Sequence, residues 1–216
     1  MPTPTSPEIQ SIASSALASR SLRGSFIPNL ARAVGQAYGQ ALLMFMAQAV
    51  VLPGIASAVD PITGSGSTCG PGMLLAPPAG APSEQQIESL VMPFLLSEQL
   101  NGERKRDLAH VIAQALAEGL RLFTLVRQVG PGIAVSGFAT SAPGRLIGVG
   151  PSKAQLQPLV RADELGRGLR GAHSPELADA LAETVALSLD IMATRLLVLP
   201  GIPCTPAATA APGRLC

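Results

Sequence analysis

The chain has 216 residues, of which 47% are hydrophobic and only 13% are charged, and its formal net charge is +1. Ordinary soluble domains carry about 25% charged residues, so we expect much of this surface to be covered by a partner, by copies of the chain or by lipid. The balanced charge lacks the basic footprint of a nucleic-acid-binding protein, and no nucleic-acid partner is predicted.

The N-terminal segment MPTPTSPEIQ is polar and lacks a basic region followed by an apolar one. It therefore does not resemble a Sec signal peptide, and a cytoplasmic assembly, which could be part of a released particle, is predicted. The three cysteines, Cys69, Cys204 and Cys216, match no zinc, haem or CxxC spacing. Because three is an odd number, we expect reduced thiols rather than a disulfide framework.

Three helix starts share one pattern. Thr5, Ser83 and Ser152 each directly follow a proline, and each is followed three residues later by Glu or Gln. This is a capping box, in which the hydroxyl and the Glu or Gln side chain satisfy free backbone N–H groups. A Pro-Gly-Ile triplet follows each cap at the same distance, at 53–55, 131–133 and 200–202.

The segments 5–55, 83–133 and 152–202 align without a gap and share identical residues at seven positions. Such internal similarity indicates a tandem repeat. The shared residues are Leu22/Leu100/Leu169, Gly24/Gly102/Gly171, Leu30/Leu108/Leu177, Ala31/Ala109/Ala178, Pro53/Pro131/Pro200, Gly54/Gly132/Gly201 and Ile55/Ile133/Ile202.

Each unit is predicted to be a helical hairpin. A first helix of about four turns ends at the shared glycine, Gly24, Gly102 or Gly171, for which we expect a left-handed cap. A longer helix follows, and Pro-Gly is predicted to end it. Its apolar residues recur at steps of four, four, four and three. They are Leu30, Val34, Tyr38, Leu42 and Phe45; Leu108, Ile112, Leu116, Leu120 and Phe123; and Leu177, Leu181, Val185, Leu189 and Met192.

An extended tail between two Pro-Gly turns completes each unit. The predicted fold is thus mainly α, with one domain over 1–216 made of three repeats at about 5–74, 83–146 and 152–215, joined by linkers 75–82 and 147–151. Three equal units commonly pack around a pseudo-threefold axis, and a linear stack is the alternative.

The first long helix also admits a membrane interpretation, because residues 33–59 carry no charge and are long enough to span a bilayer. The equivalent helices contain charged residues such as Glu118, Arg121, Asp179 and Glu183. Since equivalent helices should share one environment, and charges in hydrocarbon are costly, a buried soluble helix is favoured.

No group of residues predicts an enzyme. GSGSTCGPG at 64–72 lacks the Gly-Lys-Ser/Thr of a phosphate loop and is interpreted as a glycine turn. Cys69 has no base nearby in sequence, and the charged stretch 101–110 is interpreted as a solvated turn, with a docking patch as the alternative. No catalytic residue, cofactor or metal is predicted.

The favoured hypothesis is a non-enzymatic structural subunit of a larger protein assembly. Phage tails and contractile injection particles are examples in which threefold and sixfold symmetries meet. The tails are predicted to bind other subunits by adding to their sheet edges. The alternatives are a membrane-associated protein that inserts residues 33–52 and a carrier with an apolar cavity between its hairpins.

Two variants follow from this interpretation. Gly102→Val is expected to cost more stability than Gly35→Ala, because it forces a Cβ into a left-handed cap. A chain cut after Gly201 is expected to stay folded but not to assemble.

Overall fold

The computed structural model describes residues 3–216 and is mainly α-helical, with about half of the chain in six helices and the rest largely in small sheets and turns. Short and long helices alternate, with 14 residues in each short helix and 22 in each long one. The helices are α1 (Ser6–Ser19), α2 (Ile27–Gln48), α3 (Glu84–Ser97), α4 (Lys105–Val126), α5 (Lys153–Gly166) and α6 (Ser174–Arg195).

The three short helices begin as predicted. Thr5, Ser83 and Ser152 are their N-caps, and each forms a capping box with the residue three positions later. The backbone N–H of Ser83 donates to Gln86 Oε1 at 2.8 Å, and that of Ser152 donates to Gln155 Oε1 at 2.9 Å. The capping-box prediction is confirmed.

The predicted left-handed caps at Gly24, Gly102 and Gly171 are wrong. The positive φ angles lie three residues earlier, at Ser21 (57°), Gln99 (62°) and Gly168 (68°). The following leucine, Leu22, Leu100 or Leu169, donates its N–H to the carbonyl five residues before it, at 2.9–3.2 Å. This is a Schellman ending, and the shared leucine is its usual apolar residue. In two of the three units the left-handed residue is not glycine, so the shared glycine did not indicate where the short helix ends.

The three shared glycines instead precede the long helices. The carbonyls of Gly24, Gly102 and Gly171 accept the N–H of the first residue of α2, α4 and α6, at 3.1–3.2 Å. A Cβ on Gly102 or Gly171 would meet no atom within 4 Å. These glycines therefore lie in the turn between the two helices of each hairpin, where the surrounding atoms leave room for a side chain.

This geometry reverses the expected order of the two glycine variants. A Cβ at Gly35 would lie 2.8 Å from both Gln10 Cβ and the Ser6 carbonyl oxygen on α1. We expect Gly35→Ala to cost about 1–3 kcal/mol through overpacking, and Gly102→Val to cost less than about 1 kcal/mol. Chemical denaturation of both variants measures the difference, and a larger loss for Gly102→Val would contradict the observed turn.

The predicted apolar stripes of the long helices form the core. Of their 15 residues, all are buried except Leu108 and Leu177, which are half-buried. Phe45 and Phe123 meet edge to face, with ring centroids 5.8 Å apart. The buried Tyr38 hydroxyl donates to the carbonyl of Ile112 at 2.9 Å, which joins α2 to α4.

The prediction that Pro-Gly ends the long helices is wrong. They end five residues before the proline, at Gln48, Val126 and Arg195. Two-residue strands follow, at β1 (Val50–Val51), β5 (Gln128–Val129) and β9 (Leu197–Val198). Each of these strands contains valine, which favours strands, and proline keeps the residue immediately before it out of the helical region. The chain is therefore extended from the end of the helix to the turn.

The remaining strands come from the tails. They are β2 (Ser57–Val59), β3 (Gly66–Thr68), β4 (Gly72–Met73), β6 (Ala134–Ser136), β7 (Ala139–Thr140), β8 (Gly144–Ile147) and β10 (Gly213–Arg214).

Six strands form a first closed ring, in the order β1, β4, β5, β8, β9 and β10. Antiparallel pairs link β4 to β5, β5 to β8, β8 to β9 and β10 to β1. The bridges Val51↔Leu74 and Val198↔Leu215 complete the ring. In this ring the exit strand of each long helix pairs with the last tail strand of its own unit and with that of the preceding unit.

A second ring of paired segments is formed by the middle parts of the tails. Strand β2 pairs with β3, β3 with β6, and β6 with β7. Isolated bridges continue from Ala139 to Pro203, from Cys204 to Thr209 and from Ala208 back to Ala56. Val59, Val135 and Cys204 form its small apolar core. The tail strands thus pair with one another within the chain.

The helices also pack in a cyclic order. Within the hairpins, α1 packs on α2, α3 on α4 and α5 on α6; between them, α2 packs on α3, α4 on α5 and α6 on α1. The contact between α6 and α1 brings the last hairpin against the first.

In the part of the chain that the structure describes, one helix, α4, is long and apolar enough to cross a membrane. Just over half of its most apolar window is buried in the protein. The helix that the sequence offered as a membrane segment, α2, has eleven buried residues.

Candidate functional site

One buried threonine in each tail forms hydrogen bonds with the next unit. The Oγ1 atoms of Thr68, Thr140 and Thr209 accept the backbone N–H of Ile133, Ile202 and Ile55, at 3.0, 2.9 and 3.0 Å. The backbone N–H of each threonine donates to the carbonyl of the same isoleucine. The threonine carbonyl accepts the N–H of the glycine that precedes this isoleucine, and these distances are 2.7–3.0 Å. We call these contacts the threonine latches.

The latches explain the recurring Pro-Gly-Ile. Gly54, Gly132 and Gly201 have φ of +93°, +88° and +94°, a region that L-residues with a side chain rarely adopt. The chain thereby turns the next N–H toward the threonine. The isoleucine side chains are buried, whereas Pro53, Pro131 and Pro200 are exposed. The predicted structural residues of the triplets thus lie at the contacts between units.

A second glycine in each tail makes room for the isoleucine of its own unit. A Cβ on Gly72, Gly144 or Gly213 would lie 2.5 Å from Cδ1 of Ile55, Ile133 or Ile202, respectively. A Cβ atom cannot lie so close to another carbon atom, so the buried isoleucine requires glycine at positions 72, 144 and 213.

The sequence interpretation missed the threonines, although a signal exists. Each tail contains Thr-x-x-Pro-Gly, at 68–72, 140–144 and 209–213. The first tail is six residues longer, and the extra residues form the turn between β2 and β3, where Asp60 Oδ1 accepts the N–H of Ile62 at 2.7 Å. That insertion precedes the motif and hides its alignment with the other tails.

Polar contacts at matched positions join the hairpins. The C-cap residue of each short helix, Arg20, Glu98 or Arg167, contacts the long helix of another unit. Arg20 Nε lies 3.6 Å from Asp179 Oδ2, Glu98 Oε2 lies 2.6 Å from Arg32 Nη1, and Arg167 contacts His110 Nε2. The three partners occupy the same position in their long helices, so one contact recurs three times with different chemistry.

One cluster has donors that could hold a cation. His110 Nδ1 lies 3.1 Å from carboxylate oxygens of both Glu84 and Glu88. In the third unit the matching positions carry Lys153, Gln157 and Asp179; Gln157 donates to Asp179, and Lys153 Nζ lies 3.9 Å from it. Because lysine replaces a carboxylate there, we assign this position to packing between the two helices of a hairpin.

All three hairpin turns line one cavity of about 650 Å³. We call it the hairpin-end cavity. Six leucines form its apolar wall, and they are the members of two shared columns: Leu22, Leu100, Leu169, Leu30, Leu108 and Leu177. Its polar lining includes Arg104, Lys105, Arg170, Glu164 and Ser174. Its volume is in the range of small-molecule binding sites.

Glu164 is the unusual side chain in this cavity. It is only 1% exposed, and its Oε2 accepts the Ser174 hydroxyl at 2.8 Å, while its Oε1 has no hydrogen-bond partner. Burial raises the pKa of this carboxyl to about 7, although the Ser174 hydrogen bond and the charge of Arg161 oppose the shift. Near neutral pH the group therefore exists partly as a neutral acid.

Large apolar side chains are exposed around the first ring. Met73 and Ile147 flank Gln128 on neighbouring strands and are 54% and 44% exposed. Val149 and Leu199 are 83% and 41% exposed. We call these four residues the outer apolar belt. A concentration of exposed apolar residues is typical of surfaces that bind other molecules.

Comparison with known proteins finds no family model, no curated protein and no solved structure that matches this chain.

Proposed function

We propose that this protein is a non-enzymatic structural subunit of a larger assembly, built as a closed pseudo-threefold ring of three hairpin units. The single observation that carries the proposal is the set of three threonine latches. Each joins the tail of one unit to the Pro-Gly-Ile of another, and the third joins Thr209 in the last unit to Ile55 in the first.

The helices support the same arrangement. Helix α6 packs on α1, as α2 packs on α3 and α4 on α5. At the closing contact, Arg195 Nη2 on α6 lies 2.8 Å from Glu8 Oε1 on α1. Hydrogen bonds from Arg195 and from Thr5 lower the pKa of Glu8 to about 2. A linear stack would leave the outer faces of α1 and α6 without these contacts.

The tails serve the ring rather than a neighbour's sheet in this proposal. Their strands already pair within the chain, which leaves little of their main chain for strand addition. The surface offered to other subunits is instead the outer apolar belt. Met73 and Ile147 lie in strands of the first ring, and Val149 and Leu199 follow the ends of β8 and β9. Because all three units contribute, the belt suits partners arranged with threefold or sixfold symmetry, as in phage-tail-like and contractile injection particles.

Sedimentation of the native protein tests the assembly proposal. We expect the wild-type chain from a detergent-free lysate to sediment with large particles, and Met73→Glu/Ile147→Glu/Leu199→Glu to move to the slow fractions. Each substitution places a charge in an apolar contact, which costs several kcal/mol where the site is buried by a partner.

Leu96→Glu is the matched control. Leu96 is 41% exposed, like Leu199, but lies in the last turn of α3, next to the hairpin turns. The control variant should still sediment with the wild type. A wild-type chain that is found only in slow soluble fractions would overturn the proposal.

A further inference from the structure

The hairpin-end cavity is lined by leucines and by positively charged side chains that the proposed structural role does not require. Lys105 begins α4, and Arg170 lies in the turn before α6; both line the cavity. Among residues 3–216, neither forms a salt bridge with a carboxylate. Arg104, also in the lining, is already held by Asp107 at 3.0 Å and by the Gly168 carbonyl at 2.6 Å.

Like the free positive charges, the Glu164 oxygen that has no hydrogen-bond partner points to a ligand. Buried polar atoms are nearly always hydrogen-bonded, yet Oε1 of this nearly inaccessible side chain has no partner in the protein. Because Ser174 already donates to Oε2, a protonated Oε1 can donate to a ligand acceptor. The same cavity therefore offers one buried hydrogen bond, two free cations and a leucine wall.

We propose that the hairpin-end cavity binds a free single-chain amphipathic anion of the fatty-acid type. Its hydrocarbon chain would lie against the six leucines, and its headgroup would accept hydrogen bonds from Lys105, Arg170 and Glu164. A cationic amphiphile is disfavoured by the basic lining, and an uncharged alkane would leave the polar groups unpaired.

Binding should weaken as pH rises, because an ionised Glu164 repels an anion and can no longer donate. The charged groups that act on Glu164 are Arg161, Asp163 and Asp179. Arg104, Lys105, Arg170 and His173 line the same cavity. The contribution of Glu164 is the difference in pH dependence between the wild type and Glu164→Gln, because the two proteins share every other charged group.

Isothermal titration calorimetry of the full chain with decanesulfonate, below its micelle concentration, tests the proposal. A sulfonate keeps its charge across this range, so a change in affinity reports the protein. We expect saturable one-to-one binding that is about threefold to tenfold tighter near pH 6 than near pH 8. In Glu164→Gln, a neutral acid mimic that keeps a donor, most of this pH dependence should disappear.

Two variants at the protein surface test the role of the positive charges without changing buried residues. Lys105→Glu/Arg170→Glu should weaken binding by roughly tenfold or more, because two attractive charges become repulsive. Arg106→Glu is the control, since Arg106 is an exposed neighbour that does not line the cavity, and it should bind like the wild type.

Three results would overturn the proposal. They are the absence of saturable binding, an equal loss of affinity in the Arg106→Glu control, and capture of the protein by anionic lipid vesicles without one-to-one binding of the sulfonate. The last result would indicate a membrane surface as the source of the anion. None of these depends on whether the protein sediments as an assembly.

Discussion

The variant Thr68→Val/Thr140→Val/Thr209→Val is expected to lose about 3–9 kcal/mol of its free energy of unfolding, since each buried N–H left without an acceptor costs about 1–3 kcal/mol. The three threonines are 1–4% exposed, so water cannot easily replace the lost hydroxyl. Valine keeps the shape of threonine and removes the acceptor. Because whole domains are stable by only about 5–15 kcal/mol, the triple variant should be close to unfolded.

The matched control is the triple replacement by serine, which keeps each hydroxyl and removes a methyl group. It should cost about 1 kcal/mol or less at each position. Urea denaturation followed by far-ultraviolet circular dichroism measures both variants. If valine and serine variants have the same midpoint, the threonine hydroxyls do not hold the units together.

A chain that ends at Gly201 should lose its cooperative unfolding transition, in contrast to the sequence-based expectation that it stays folded. The cut removes β10, which pairs with β1, and Thr209, which closes the latch on Ile55. It also removes the buried Ile202 and Leu215, each worth about 1.5–3 kcal/mol. Together these losses are comparable to the stability of a typical domain.

Adding the synthetic peptide 202–216 in trans is the control for this truncation. If the missing segment acts by closing the rings, the peptide should restore a cooperative thermal transition in a concentration-dependent way. A truncated chain that melts at the full-length temperature without the peptide would show that ring closure contributes little to stability.

The helical part of the fold could be predicted because its signals are local. A capping box at Ser83 or Ser152 and an apolar stripe such as Ile112 to Phe123 each act within a few turns of one helix. The end of the short helices was misplaced because Ser21 and Gln99 adopt a left-handed conformation that glycine usually marks. Local signals therefore predicted the number of helices and the starts of the short ones better than the residues at which the helices end.

The strand rings could not be predicted, because their strands are two to four residues long and several of them pair with strands of another unit. Such short strands carry no alternating pattern, and the partner of Val50, for example, is Arg214 at the far end of the chain. The cavity also depends on long-range packing. Glu164 lies in a helix whose sequence gives no sign that this one carboxyl is buried against Ser174.

Hydrogen exchange of three amides tests the closed ring most directly. The N–H groups of Ile55, Ile133 and Ile202 donate to the three latch threonines at 2.9–3.0 Å. A closed ring predicts that all three exchange only when the whole protein unfolds, with similar protection. If the Ile55 amide exchanges orders of magnitude faster while that of Ile133 stays protected, the first and third units separate in solution, and the ring is open.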